Sequence, residues 1–245
     1  MTQSSELGYI RKIETMGMVD GPGVRTILFL SGCPLRCLFC HNPDMWTTKA
    51  GDQISVDEVI AKLKRYKPYY GKDGGVTFCG GEPLTQPKFL IALMKRCKEE
   101  GISTCLDTSG YGQVDTFDEI LSLTDVILYD IKGLDPDKYK AMTAQPIEVT
   151  NTFLAKAQNY DLSIWIRVVI IPDYNDTYIY MDQLAEYIGH LKRIDRVELL
   201  PYHTLGVNKY ETINMKYPLE GVKAMDKTKC QELEDYLNRK LGLKD

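Results

Sequence analysis

Long hydrophobic runs are missing from this chain. Its most apolar stretches, such as Ile27–Leu30 and Val168–Ile171, fall far short of the roughly 20 residues that a membrane-spanning helix needs, so no membrane association is expected. An excess of positive charge is missing too: 30 Lys and Arg stand against 34 Asp and Glu, for a formal charge of −4. Nucleic-acid binding draws on clustered cations that displace counterions, so nucleic acid is not expected as a partner. The segment Met1–Leu7 is polar and lacks the apolar stretch of a signal peptide. There is no low-complexity tract, repeat or Ser/Gly/Pro linker, and residues 1–245 are read as one domain closed by a helix over about 226–242. Seven cysteines are an odd number, not spread as a disulfide framework. They fit a reducing, cytoplasmic compartment.

What is present is an alternation of apolar, β-rich runs with amphipathic segments. The runs are "VRTILFL" (24–30), "GVTFC" (75–79), "ISTCLDT" (102–108), "DVILYDI" (125–131), "IWIRVVII" (164–171) and "RVELLPY" (196–202). Several are continuously apolar, as expected for strands covered on both faces. Between them, "SVDEVIAKLKRY" (55–66) carries a capping box of Ser55 and Glu58, and "PKFLIALMKRCKEEG" (87–101) opens on Pro87 and closes on Gly101. Further helices are expected over 115–123, 151–160 and 180–193. Six strand–helix units predict a parallel α/β sheet, either doubly wound or a partial barrel. The runs end in "SGC", "CGGEP", "LDTSG", "YDIK", "VIIPDYND" and "LPYH". Chemistry at the carboxyl ends of all six strands favours a ring around one cavity, a partial (β/α)6 TIM-like barrel.

The loop "SGCPLRCLFCHNPD" (31–44) places Cys33, Cys37 and Cys40 within eight positions, with no fourth cysteine before Cys79. A structural zinc site would need His41 or Cys79 as its fourth ligand. His41 directly follows Cys40, an awkward pairing around one tetrahedral ion, and the paired C-x2-C halves usual for zinc are absent. An iron–sulfur cube accepts three thiolates and leaves one iron open to an outside ligand. Elsewhere, Asp107 and Asp130 are either turn formers or, with Lys132 beside one of them, part of a polar ion site. Arg167 lies inside an apolar strand, where a guanidinium calls for a ligand or a carboxylate partner. His203 alone reads as a loop or core histidine, His190 as an ordinary helix residue, and Cys79 as a small buried side chain.

C-x3-C-x2-C with Phe39 just before the last cysteine resembles the motif of the radical S-adenosylmethionine (SAM) enzymes. The resemblance implies a partial (β/α)6 barrel with the cluster loop after the first strand, and a 4Fe–4S cluster whose vacant iron is chelated by the amino and carboxylate groups of SAM. Reductive cleavage of SAM would then give a 5′-deoxyadenosyl radical. "CGGEPL" (79–84) looks like the family's GGE motif, with Gly80, Gly81 and Glu82 toward the SAM amine. By the same resemblance Lys132 pairs with the SAM carboxylate. Phe39, His41, Asp130, Ile131, Arg167 and His203 are expected around SAM. Asp107, Thr108, Asp130 and Ile131 are expected to hold a monovalent cation, sodium or potassium.

The longer stretch "MVDGPGVRTILFLSGCPLRCLFCHNPDMW" (18–46), continued by "YDIK" and "VELLPYHTLG.NKY", resembles the activating enzymes of glycyl-radical enzymes. Some of those carry a ferredoxin-like insert with extra cysteines, whereas residues 41–78 here contain none. That absence points to the type acting on pyruvate formate-lyase. Pro83 stands where a small residue is found in some relatives. The implied reaction is hydrogen-atom abstraction from a glycine in a loop of the partner, with flavodoxin or ferredoxin as electron donor. Asp20, in "DGPG", is either a turn residue or a hydrogen-bonding contact for that loop.

Overall fold

The structure is a computed structural model that describes residues 6–243. The chain falls into two compact units: one holds the chain up to Pro34, Met45–Leu128 and Glu148–Leu162, the other Leu35–Asp44, Tyr129–Ile147 and the chain from Ser163.

In the first unit, β1 (Leu7–Gly17) runs antiparallel to β2 (Arg25–Leu30) and to the short β3 (Asp52–Ser55). Helix α1 (Val56–Tyr66) follows, with the predicted capping box: the Ser55 hydroxyl accepts from Glu58 N–H, and Glu58 accepts from Ser55 N–H. Its buried face is Val56, Val59, Ile60 and Leu63. Next come β4 (Gly75–Gly80) and α2 (Pro87–Glu99), which starts on Pro87 and buries Phe89, Leu90, Leu93, Met94 and Cys97. Then come β5 (Ser103–Thr108) and α3 (Phe117–Ser122). The chain continues through β6 (Val126–Asp130), the first three residues of which lie in this unit. The strand order here is β3-β1-β2-β4-β5-β6, with β2, β4 and β5 parallel in register.

The second unit takes up α4 (Pro136–Thr143), capped by the Asp135 carboxylate and ended by Ala144 in the left-handed region. The chain returns to the first unit for α5 (Glu148–Ala157), where Phe153 meets Phe117 edge-on at 5.0 Å. Back in the second unit, β7 (Ser163–Ile170) alternates buried Ile164, Ile166, Val168 and Ile170 with partly exposed neighbours. Thr177 caps α6 (Tyr178–Gly189). β8 (Arg196–Pro201) pairs in parallel with β7. It is followed by the short α7 (Asn208–Thr212) and by α8 (Lys227–Leu241), capped by Asp226 and burying Cys230, Leu233 and Leu237. The Glu234 carboxylate of α8 accepts from Leu199 N–H at 2.5 Å, satisfying a backbone donor on the last strand.

The six predicted runs are β2, β4, β5, β6, β7 and β8. The cysteine loop follows the first parallel strand, although β1 precedes it in the chain. No helix among the described residues is long and apolar enough to cross a membrane.

Candidate functional site

In the first unit the cysteine loop leaves β2 pinned by its backbone. Ser31 N–H donates to Tyr9 O (3.0 Å), Gly32 N–H to Met45 O (2.8 Å) and Cys33 N–H to Trp46 O (3.1 Å). The buried Gln86 amide adds three bonds of 2.8 Å, accepting from Tyr9 N–H and donating to Tyr9 O and Ser31 O. The "GGE" turn lies directly on this backbone: Gly81 N–H donates to Leu30 O (2.8 Å) and Glu82 N–H to Gly32 O (2.7 Å). Gly80 has φ +114°, and a Cβ there would stand 2.6 Å from the Leu30 backbone. A Cβ on Gly81 would stand 2.3 Å from Gly32 O. Contact with residues 30–32 thus requires both glycines, whatever they do for a ligand.

Glu82 is buried and fully engaged within the unit. One carboxylate oxygen accepts from Thr108 Oγ1 (2.5 Å) and Leu84 N–H (3.2 Å), the other from Ser109 N–H (2.9 Å) and Ser109 Oγ (2.6 Å). Burial pushes its carboxyl above the ordinary range, against the downward pull of these hydrogen bonds. Four donors fill the usual capacity of a carboxylate, so Glu82 ties the end of β4 to the end of β5. Thr108 also accepts from Gly110 N–H (2.9 Å), and Asp107 beside it is half-buried. The Asp20 carbonyl accepts from the Thr77 hydroxyl at 2.6 Å.

The second unit holds the rest of the loop. Arg36 N–H and Leu38 N–H donate to Thr143 O (2.7 Å) and Met142 O (3.0 Å), satisfying carbonyls at the end of α4. Cys40 N–H closes a turn on Cys37 O at 3.0 Å. Burial pushes the Cys37 thiol up to about 11, with the Lys132 ammonium pulling the other way. Lys132 Nζ lies 3.2 Å from Asp130 Oδ2 and 5.4 Å from the centre of the Phe39 ring. Burial alone would lower the Lys132 pKa, but the Asp130 carboxylate outweighs it and the shift is upward. Arg167 Nε is 3.9 Å from Asp130 Oδ1, and its carbonyl accepts from Ile131 N–H at 2.9 Å. The carboxylate expected near Arg167 is therefore Asp130.

His41 and His203 come together: their rings stack at 4.0 Å and His41 Nε2 donates to His203 O at 2.7 Å. Lys209 Nζ reaches Asn42 Oδ1 (2.7 Å) and Asp44 (3.4 Å), and Tyr210 OH donates to Cys40 O (3.1 Å). The loop from β8 into α7 thus braces residues 40–44. Sequence reasoning missed Lys209, Tyr210 and Gln86; the "NKY" ending of the C-terminal motif was the available signal for the first two. A cavity of about 840 Å³ in the same unit has Leu38, Lys132, Tyr180 and His190 on its wall.

None of the seven cysteines is in a disulfide, and Cys79, Cys97, Cys105 and Cys230 are buried as small core side chains. The donor set of Cys33, Cys37 and Cys40, on a loop held by its backbone at both ends, fits an iron–sulfur cube. Among the described residues no three His, Cys, Asp or Glu side chains are gathered around a single point as for one metal ion.

Comparison with known proteins finds a match to the family described as the radical SAM superfamily over residues 27–184. The chain is 48% identical over 236 residues to a pyruvate formate-lyase-activating enzyme from Clostridium pasteurianum, covering 96% of this chain and 99% of that protein. It is 42% identical over 241 residues to the Staphylococcus aureus enzyme of the same description, covering 95% and 96%. Among solved structures, a domain of a pyruvate-formate lyase-activating enzyme from Bacteroides vulgatus matches with TM-score 0.57 and 28% identity, over 70% of this chain and 96% of that one. The α/β class with a mostly parallel sheet is the one that the strand–helix alternation predicts, and the partial barrel favoured by the strand endings is consistent with it.

Proposed function

The chain belongs to the radical SAM superfamily and, within it, to the pyruvate formate-lyase-activating enzymes, and from that premise we propose how its residues activate pyruvate formate-lyase. The observation that carries the assignment is similarity along nearly the whole length of both relatives. When bound, a 4Fe–4S cluster and SAM supply a one-electron reductive cleavage that ends in removal of a hydrogen atom from the α-carbon of a glycine in the partner.

Cys33, Cys37 and Cys40 would hold the cluster. The bonds from residues 32 and 33 to Met45 and Trp46 hold the backbone at Cys33 within the first unit, and those from residues 36 and 38 to α4 hold the segment of Cys37 within the second. Lys132, kept charged by Asp130, would take the SAM carboxylate, with Arg167 steadying Asp130 from its other oxygen. His41 and His203, stacked as a pair, and Phe39 offer flat faces for the adenine and the cluster edge. The amine of SAM would meet the backbone about Gly80 and Gly81, where Glu82 is the anchor of the turn. Asp107, Thr108, Asp130 and Ile131 are hard oxygen donors suited to a monovalent cation. Asp20 would contact the backbone of the partner's glycine loop. No side chain is needed as a general acid or base, because a hydrogen atom and not a proton leaves the glycine.

A flavodoxin or ferredoxin is the proposed electron donor. A reducing cytoplasm is the proposed site of action, since the odd number and spacing of the seven cysteines are not those of a disulfide framework. The test is anaerobic reconstitution with iron and sulfide, followed by EPR with SAM and then with pyruvate formate-lyase. The expected results are a reducible cluster whose signal SAM perturbs, and a stable glycyl-radical signal on the partner. A colourless protein holding stoichiometric zinc, or SAM cleavage with no radical on the partner, would overturn the assignment.

A further inference from the structure

Arg25 opens β2 and is completely buried. A guanidinium has five N–H donors, and here all five are used. Nε donates to Thr77 Oγ1 (2.9 Å), Nη1 to Pro22 O (3.0 Å) and Asp73 O (3.1 Å), and Nη2 to Val76 O (2.9 Å) and Ser103 O (3.1 Å). None of these acceptors is a carboxylate. Burying a cation is unfavourable unless it is fully hydrogen-bonded, and an apolar side chain would fill a strand of this kind at less cost. The arrangement makes sense for what it holds. Two of the five bonds lead to the "DGPG" loop, one directly at Pro22 and one through Thr77, whose hydroxyl accepts from Arg25 and donates to Asp20 O at 2.6 Å. Just before the loop, Met18 and Val19 are 76% and 83% exposed, leaving apolar surface beside a fixed backbone.

We propose that Arg25, acting through Thr77, is a positioning residue that sets the Asp20–Gly23 loop for contact with the glycine-bearing loop of the partner. This rests on the reading of Asp20 given above. The hydrogen bonds of Arg25 and Thr77 go neither to Cys33, Cys37 and Cys40 nor to the groups assigned to SAM; they fix where the Asp20 backbone stands, and through it the side chain offered to the partner. Thr77 is the sensitive member, because a single hydroxyl carries both the bond from the guanidinium and the bond to the loop.

The experiment uses the reconstituted full-length enzyme, following glycyl-radical formation against pyruvate formate-lyase concentration, with iron content and the SAM-perturbed EPR signal measured alongside. Thr77→Val is expected to raise KM for the partner about five-fold, the effect of one hydrogen bond, with kcat at saturating partner, iron content and EPR signal as in wild type. Thr77→Ser, which keeps the hydroxyl, is expected to restore the wild-type KM. An unchanged KM in Thr77→Val, a parallel fall of iron content or kcat, or a Thr77→Ser enzyme as impaired as Thr77→Val would each overturn the proposal. Asp20→Ala separates the two levels. If it leaves KM unchanged, the reading of Asp20 itself fails; if it raises KM while Thr77→Val does not, only the positioning inference fails.

Discussion

Replacing Gly81 with alanine tests the most crowded point of the "GGE" turn. The new Cβ would sit 2.3 Å from Gly32 O, 2.8 Å from Gly32 C and 3.2 Å from Met45 O, all backbone atoms. A flexible side-chain tip can swing away from such a clash, but these atoms belong to the hydrogen-bonded root of the cysteine loop. Relief therefore means separating the turn from that loop. Doing so breaks Gly81 N–H to Leu30 O and Glu82 N–H to Gly32 O, at 2.8 and 2.7 Å. Each bond is worth about 1 kcal/mol, and overpacking adds about 1–3 kcal/mol. The expected destabilisation is about 3–5 kcal/mol, a large share of the roughly 5–15 kcal/mol that holds a protein folded. At about 2–4 °C per kcal/mol for a chain of this size, the melting temperature of the metal-free protein should fall by at least about 6 °C. Iron retention after reconstitution should fall with it, because Cys33 hangs from the same backbone. Gly189→Ala is the matched control: nothing lies within 4 Å of its new Cβ, and its effect should stay within about 1 kcal/mol of zero. The assay is anaerobic thermal unfolding followed by circular dichroism, with iron assayed on parallel samples. A wild-type melting temperature and full iron content in Gly81→Ala would show that the contact does not constrain the loop.

Further outcomes follow from the same structure. Alanine at Cys33, Cys37 or Cys40 should abolish cluster retention, whereas alanine at Cys79, Cys97, Cys105 or Cys230 should leave iron content intact; iron loss on Cys79→Ala alone would break the three-ligand assignment. Tyr210→Phe deletes the bond to Cys40 O and should speed iron release to a chelator about five-fold, the equivalent of one hydrogen bond; an unchanged release rate would remove Tyr210 from the brace. Burial raises the Asp125 pKa, but hydrogen bonds from Lys98 and Thr104 outweigh it and the net shift is downward. Its folded pKa thus lies below the unfolded value of about 3.9. Its stabilising contribution is therefore complete above about pH 4 and is lost as pH falls through the depressed folded value. Urea unfolding of Asp125→Asn should show a deficit against wild type at pH 6 that shrinks toward pH 3, and a deficit that is constant with pH would contradict the assigned bonds.

The parallel strands were legible because they are β-rich runs, several continuously apolar, that end in residues with chemistry to offer, and the capping box at Ser55 marked α1 within a residue. β1 was not, because "LGYIRKIETMG" is a half-exposed strand whose pairing depends on β2, on the short β3 and on the distant Gln86 amide. β3, only four residues long, carries too little pattern to read. α5 begins at Glu148, three residues earlier than its apolar spacing suggested. The short α4, which opens on Pro136 three residues after "YDIKG", is a helix that the apolar spacing did not predict. At the site, residue types announced themselves where chemistry demands them: thiols, glycines, a lysine, histidines. Their internal partners did not. That Glu82 is saturated by Thr108 and Ser109, or that Asp130 serves Lys132 and Arg167 together, depends on the register of strand ends, which no local pattern encodes. Arg25 was open to the argument applied to Arg167, a cation inside an apolar strand, but four of its five acceptors are backbone carbonyls, which every sequence has and none displays.

The brace on residues 40–44 has a consequence in time. His41, Asn42 and Cys40 are held by His203, Lys209 and Tyr210, partners that follow them by 162, 167 and 170 residues. At a synthesis rate of about 5–20 residues per second, the thiols leave the ribosome roughly 10–30 seconds before the residues that hold their loop exist. During that interval Cys37 and Cys40 belong to an unbraced segment open to oxidants and to the wrong metal. Stable loading of iron is thus tied to the last stage of synthesis, and a stalled nascent chain that has not reached Lys209 should bind iron only loosely.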